Sequence, residues 1–462
     1  MLAIGGMRSA GARKAEASLA SRTLDQARGT LGQAHASRVR EAEVMSVDTA
    51  SLHALESAPA RRSSWLGVVA LMFGIFALVT SEFLPASLLS PLAAELGVSD
   101  GTAGQAVTAT AIIGIVAGPG VGLLFPRLNR RYLMVGLALL AAVSNLLVAV
   151  APEFWMLLAA RVLLGVAISG YWSMALAVTA RLVPAAHLGR AMMIVNTGVS
   201  MATVVAVPLG AFLGAVWGWR AVFLSVAIVA LVAAVILFVC LPPVAAAKEA
   251  GFRSLVDTLR SPVMIVGLVA VILLAGGHFA GFTYIRLGSA EIPDLTAGGL
   301  ALLLAIYGAG GFVGNLVAGI LADRRLRLAL VLMPAILGVA VATFAILPGI
   351  VPLAFVAVGL WGFAFGGVPT LVQTWSARVE PDRMEAAGGL VVAGFQTAIT
   401  LGAALGGLLV DGAGVEATLV SGAVSAVLGG VLLGTVSRGR VRTAADQANG
   451  AANSAATGTA QA

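Results

Sequence analysis

Gly122-Leu123-Leu124-Phe125-Pro126-Arg127-Leu128-Asn129-Arg130 and Gly319-Ile320-Leu321-Ala322-Asp323-Arg324-Arg325-Leu326-Arg327 are the two stretches on which the fold turns. They lie 197 residues apart, and the same shift aligns the chain on either side without a gap. Gly114 falls on Gly311, Gly165 on Gly362, Gly170 on Gly367 and Gly210 on Gly407. Arg127 falls on Arg324, Arg130 on Arg327, Arg181 on Arg378 and Pro184 on Pro381. Glycine is abundant here, so its matches carry little. Arginines and prolines recurring at one offset in equivalent loops mark an internal duplication.

The duplicated unit is too apolar for water. Charged residues are 11% of the 462, hydrophobic residues 59%, and mean hydropathy is +1.00, whereas a soluble chain is about 25% charged. The bilayer must act as solvent for most of this surface. The 56 glycines suit helices packed backbone to backbone in lipid. One cysteine, Cys240, excludes an intramolecular disulfide. The two lysines, Lys14 and Lys248, do not follow a glycine, so a phosphate-gripping Gly-Lys loop is missing and ATP-driven transport by this chain is not expected. His35, His53, His187 and His278 are too scattered for a local metal motif. The sequence predicts neither an enzyme nor a bound cofactor.

Twelve apolar stretches are predicted to span, near 65–91, 103–125, 132–151, 154–180, 191–214, 221–241, 263–285, 297–322, 329–347, 350–376, 387–410 and 416–436. At ~1.5 Å per residue each can cross a core of about 30 Å. The expected organisation is a disordered cytoplasmic tail over 1–63 and a six-helix bundle over 64–241. A cytoplasmic linker over 242–262, a second six-helix bundle over 263–436 and a disordered tail over 437–462 follow. A signal peptide is not expected, and Met45 is a candidate start. With the N-terminus inside, all of the 28 lysines and arginines except Arg161, Arg220 and Arg286 fall in cytoplasmic loops and tails. The net charge of +7 is therefore a topology signal, not a sign of nucleic-acid binding.

These features resemble the major facilitator superfamily over about residues 65–436: an all-α membrane fold of twelve transmembrane helices in two pseudo-symmetric bundles. Gly319-Ile-Leu321-Ala-Asp323-Arg324 is similar to the family's cytoplasmic loop motif. Its glycines permit close helix approach, and its acid and arginines can latch loops together. The first-half copy has Pro126 where the motif has its acid. Only Asp323 is read as able to supply one, which leaves the first-half latch without it. Arg161-x-x-x-Gly165 is similar to the family's buried-arginine motif, associated with proton coupling. Pro208-Leu-Gly210-Ala-Phe-Leu-Gly214 resembles the bent fifth helix of drug/proton antiporters, with Val207 in place of a glycine. Ser81-Glu82-Phe83-Leu84-Pro85 and Ala103-Gly104-Gln105-x-Val107-Thr108 resemble the twelve-helix drug/proton antiporters, in the branch of purine ribonucleoside efflux pumps. The resemblance implies a proton-coupled exporter of a small organic solute, working by alternating access as a monomer in the bacterial inner membrane. Both termini are expected to be cytoplasmic. Partners are the lipid bilayer, protons and a small-molecule substrate. An importer of the same fold, an exporter of an antibiotic or sugar, and a membrane solute sensor that does not transport remain alternatives.

Three residues are candidates for proton coupling. Glu82 lies about 14 Å below Pro91, and Arg161 about 12 Å inward of Glu153, so the two can meet at similar depth. Intramembrane ionisable groups mark pathways or structural pairs. His278, in the seventh predicted span, is a second proton site or a packing residue. Asp323, Arg324, Arg127 and Arg130 are candidate gating residues, with Pro208 and Gly210 bending the fifth span. The arginines also serve as positive-inside anchors. Gln105, Thr108, Asn145, Tyr171, Trp172, Asn196, Tyr307, Asn315, Trp361, Gln373, Gln396 and Thr397 supply mid-depth polar and aromatic side chains for substrate, or for helix–helix packing. Gly114, Gly118 and Gly122 form a small-residue face expected to meet another helix, through Gly402 and Gly406.

Overall fold

A computed structural model describes residues 64–246 and 251–437. The tails expected at 1–63 and beyond Ser437 lie outside the described residues. The described chain is helical. Helix α1 (Trp65–Ser87) is followed by α2 (Leu89–Leu96), α3 (Asp100–Leu124), α4 (Arg130–Ala149), α5 (Phe154–Leu182), α6 (Leu188–Met201), α7 (Val207–Trp217) and α8 (Trp219–Cys240). Then come α9 (Phe252–Leu259), α10 (Pro262–Thr283), α11 (Ile285–Ser289), α12 (Ala297–Ile346), α13 (Val351–Val379) and α14 (Met384–Val436). Local chemistry sets the starts. Ser64, Ser99, Asn129 and Thr296 each accept a backbone N–H in the first turn of α1, α3, α4 and α12. Pro262 opens α10, where its missing N–H costs nothing. Gly97, at φ 67°, ends α2 in the left-handed region.

Among the described residues nine helices are long and apolar enough to cross a membrane, and α3 has its own apolar stretch at Ala109–Leu124. Two of the nine are double length. The 50-residue α12 leaves helical geometry at Arg325 (φ −144°, ψ 48°), and the 53-residue α14 at Gly414 (φ 87°, ψ 170°). Contacts show that the chain reverses at each break. On α14, Gly402 packs on Gly276 and Ala280 and Gly406 on Ala280 and Tyr284, so this limb runs parallel to α10. Gly422 then meets Gly277 and Gly429 meets Ala270, the opposite direction. On α12, Gly310 meets Gly359 and Gly314 meets Phe363, parallel to α13. The limb after Arg325 enters α13 through a short turn and runs back. Loops expected near 323–328 and 411–415 are thus reduced to one non-helical residue each. Gly414 can hold its positive φ because it lacks a Cβ.

Three further expectations shift in detail. The fifth predicted span, 191–214, is split by a π-helical turn at Ala202–Ala206. Pro208 has no N–H to offer the preceding turn, which leaves α-register bonding broken there. The first span, 65–91, stops at Leu88 and restarts as α2. Residues read as linker contain the two-turn helix α9.

The duplication extends to packing. A Cβ on Gly165 would meet the carbonyl of Thr110, and one on Gly362 the carbonyl of Tyr307, the same pair shifted by 197. Gly170 faces Val121, and Gly367 faces Ala318, again at that offset. Two buried clusters belong to the first half, with Val244 after α8 and with Ala377 and Met384 joining from the second. Two others draw their buried residues entirely from the second half. The halves meet where α3 and α5 pack on the first limb of α14, and α6 on α12 and α13. There Gly389 lies against Pro119, Gly118 against Gly389 and Val392, and Gly388 against the carbonyl of Ser173. The partners of the Gly114–Gly118–Gly122 face are therefore Gln396, Gly389 and Met174, not Gly402 and Gly406, which pack on α10 inside their own half. With no side chain between them, the backbones approach to van der Waals contact.

Candidate functional site

A cavity of about 240 Å³ lies between the halves. Glu82, Phe83, Ser169 and Trp172 line it from the first half, and Phe279, Gln373, Phe395 and Gln396 from the second. Glu82 and Phe279 are equivalent under the 197-residue shift, so equivalent positions of α1 and α10 face the same space.

Glu82 is held there by a consequence of Pro85. That proline lies inside α1 and cannot donate to the carbonyl of Ser81 one turn earlier. Arg161, fully buried on α5, fills the vacancy. Its Nη1 donates to Ser81 O at 2.7 Å, its Nη2 to Glu82 O at 3.0 Å and its Nε to Ala106 O at 3.1 Å. One guanidinium therefore ties α5 to α1 and α3 through three carbonyls. Arg161 and Glu82 do come together, with the hydrogen bond made to the backbone carbonyl of Glu82, and Glu82 lines the cavity. Behind α1, Asn145 donates to Ser81 Oγ at 2.7 Å and to Ala141 O at 2.8 Å. It braces the helix and does not line the cavity.

His278 sits apart, 2% exposed in an aromatic cage. Trp361 Nε1 donates to its Nδ1 at 2.9 Å, Tyr307 Oη lies 3.4 Å from Nε2, and Phe365 stacks on the ring. An indole N–H only donates, so Nδ1 is the acceptor of the bond from Trp361. Tyr307 and Trp361, read as candidate substrate contacts, spend their polar atoms on this histidine.

The other candidates separate clearly. Trp172, Gln373 and Gln396 line the cavity. Tyr171 donates to Leu71 O at 3.1 Å and packs on Gly74. Asn196 donates to Thr370 Oγ1 at 2.8 Å, Thr370 to Asn315 Oδ1 at 2.7 Å, and Asn315 to Met193 O at 2.9 Å, a polar thread between the halves. Gln105 is exposed. The side chains of Thr108 and Pro208 lie outside the described residues, and Gly210 is buried.

At the end of the bundle that carries the arginine-rich loops, two polar contacts cross the seam. Asp323 accepts from the N–H groups of Gly189 at 2.7 Å and Arg190 at 3.3 Å, and from Arg190 Nε at 3.0 Å. It thus caps the start of α6. Arg130 donates to both oxygens of Glu385 at the start of α14, at 2.8 and 2.5 Å, and to the carbonyls of Phe125 and Leu128. The first-half loop does have an acid, supplied from the facing helix, which corrects the expectation that Asp323 alone could serve. Arg127 and Arg324 are exposed and make no ion pair among the described residues. Sequence reasoning missed Glu385 and Arg190. Neither is marked by the offset: Glu385 falls on Leu188 and Arg190 on Ala387.

Comparison with known proteins agrees with this architecture. The Major Facilitator Superfamily pattern matches residues 71–379 and 287–457. The chain is 37% identical over 388 residues to transcription regulatory protein OpdE of Pseudomonas aeruginosa, spanning 83% of this chain and 96% of that one. It is 35% identical over 372 residues to the purine ribonucleoside efflux pump NepI of Salmonella paratyphi B, spanning 80% and 92%. Among solved structures, the transporter FucP in its outward conformation matches with a TM-score of 0.68 at 17% identity, over 83% of this chain and all of that one. The proton:xylose symporter XylE matches with a TM-score of 0.62 at 17% identity, over 79% and 93%. At such identity the structures speak for the fold, while the sequence pattern and the relatives speak for kinship: the chain belongs to the Major Facilitator Superfamily.

Proposed function

We propose that this protein is a proton-coupled secondary transporter that exports a small organic solute of the purine ribonucleoside class by alternating access. The observation that carries the reading is Glu82 in the lining of a cavity between the two halves. An acid inside the membrane and beside a cavity is positioned to exchange a proton for cargo. The chain crosses the bacterial inner membrane twelve times, as bundles over 64–241 and 263–436 joined by 242–262. The breaks at Arg325 and Gly414 supply two of the reversals this count requires. By the positive-inside rule the arginine-rich end is cytoplasmic, with both termini. The contacts made by Asp323 and Glu385 then close the cytoplasmic side. Glu82 takes a proton from outside, cargo leaves, and the proton is carried inward as the halves rock. Arg161 positions the Glu82 backbone, and His278 maintains the shape of the second half. The efflux pumps among the relatives support export and the nucleoside class.

A second reading, a membrane sensor of the same solute, is favoured by the name of the OpdE relative. One experiment separates the two. Inverted vesicles carrying the full chain are given a proton gradient and offered nucleosides and antibiotics. A transporter accumulates its cargo with the gradient and loses this with Glu82→Gln. A variant retaining full coupled accumulation rules out the role of Glu82, and gradient-independent binding without accumulation establishes the sensor.

A further inference from the structure

We propose that Gln373 selects the cargo by pairing with a planar ring edge that carries a hydrogen-bond donor beside an acceptor, a lactam or amidine edge. The inference rests on the nucleoside reading above and assigns the residue that discriminates within it.

Gln373 lies on α13, lines the cavity and is 7% exposed. Its Oε1 is buried without a partner. A glutamine head offers two donors and two lone pairs, and leaving such a group buried and unpaired is costly. On the same seam Asn196 also has a buried oxygen without a partner, but it does not line the cavity. Thr370, one turn earlier, is engaged with both Asn196 and Asn315. The second amide on the cavity, Gln396, reaches only Ala111 O, at 3.4 Å. Among the residues lining the cavity, Gln373 is the one with a buried polar atom lacking a partner, and the same lining includes Trp172, Phe279 and Phe395.

A flat ring held between aromatic faces meets the amide edge-on. An amide can then form two parallel bonds, accepting through Oε1 and donating through Nε2, as glutamine does with an adenine edge. A 6-oxopurine offers a ring N–H beside a carbonyl, and a 6-aminopurine an exocyclic N–H beside a ring nitrogen. A purine without a 6-substituent offers no donor there. Sites whose buried polar groups pair with a ligand reject analogues that lack the partner.

The test uses full-length protein reconstituted in inverted proteoliposomes with a proton gradient, and three probes: inosine, adenosine and purine riboside. Wild type is expected to favour the first two over purine riboside by at least ~10-fold in kcat/KM. Gln373→Leu is expected to bring that ratio to about 1 while purine riboside uptake survives. An unchanged ratio in Gln373→Leu overturns the role of Gln373 and leaves the nucleoside reading intact. Wild type accumulating none of the three overturns the nucleoside reading, and the selection with it. Gln373→Met serves as a second variant. Loss of all three probes in both variants at wild-type melting temperature overturns the proposal, because it requires purine riboside uptake to persist.

Discussion

Asp323 and Arg130 hold the same seam at equivalent places with opposite distribution of charge. At Asp323 the loop supplies the acid, and the facing helix start supplies donors from Gly189 and Arg190. At Arg130 the loop end supplies the cation, and the facing helix start supplies the acid, Glu385. The two also differ in solvation. Arg130 and Glu385 are 1% and 7% exposed, whereas Arg190 is 49% exposed. Duplication conserves which surfaces meet, not which of them carries the acid. Where the first-half loop carries Pro126, the acid of the contact comes from across the seam, and this contact is the more buried of the two.

Breaking the buried contact is expected to have the largest effect. Glu385→Gln strips Arg130 of its counter-ion in a dry site, at a cost of about 3 kcal/mol. The melting temperature should fall, and a cysteine placed at Ser173, in a Cys240→Ser background, should label faster with maleimide. Unchanged labelling would mean the pair does not close the seam. Exchanging the partners, Arg130→Glu with Glu385→Arg, should recover much of the stability lost in either single variant; purely additive losses would show that the two are uncoupled. Asp323→Asn keeps an acceptor for α6 but loses its charge, an effect of about 1 kcal/mol on the same readouts. An effect as large as that of Glu385→Gln would contradict the assigned order.

The opposite end of the bundle gives the smallest effect and the exposed reference. There Arg220 donates to Glu95 at 2.8 Å and holds its carboxyl below the usual carboxylate range, assisted by Trp219. A lowered acid contributes stability above its unfolded value, near 4.3, and loses it as pH falls through the lowered folded value. Melting temperature between about pH 6 and pH 3 should therefore drop slightly more for wild type than for Arg220→Ala. Screening at this exposed site keeps the difference under about 1 kcal/mol.

The sequence exposed what depends on composition and periodicity: the spans, the duplication, and Glu82 and Arg161 as neighbours in depth. Less legible was what depends on contacts between distant segments. Glu385 meets a residue 255 positions away, and its equivalent in the first half is Leu188, so no local pattern marks it. Asn196 and Asn315 have the side chains a ligand site would need, yet Thr370 joins them to each other, which only the packing of α6 on α12 and α13 decides. Arg325 and Gly414 sit in stretches that read as loops, but hydropathy does not reveal that one residue suffices to turn the chain. Tyr307 and Trp361 looked available because their partner, His278, was weighed alone.

The glycine seam between the halves has a thermal consequence. Where Gly118 faces Gly389 and Gly388 faces Ser173, parting the surfaces releases few side chains, so little rotamer freedom is gained on opening or lost on closing. The entropy change of that step falls mainly to water entering the gap. An alanine at Gly388 would need backbone displacement to fit and would hold the halves ajar, while leaving every charged latch residue in place.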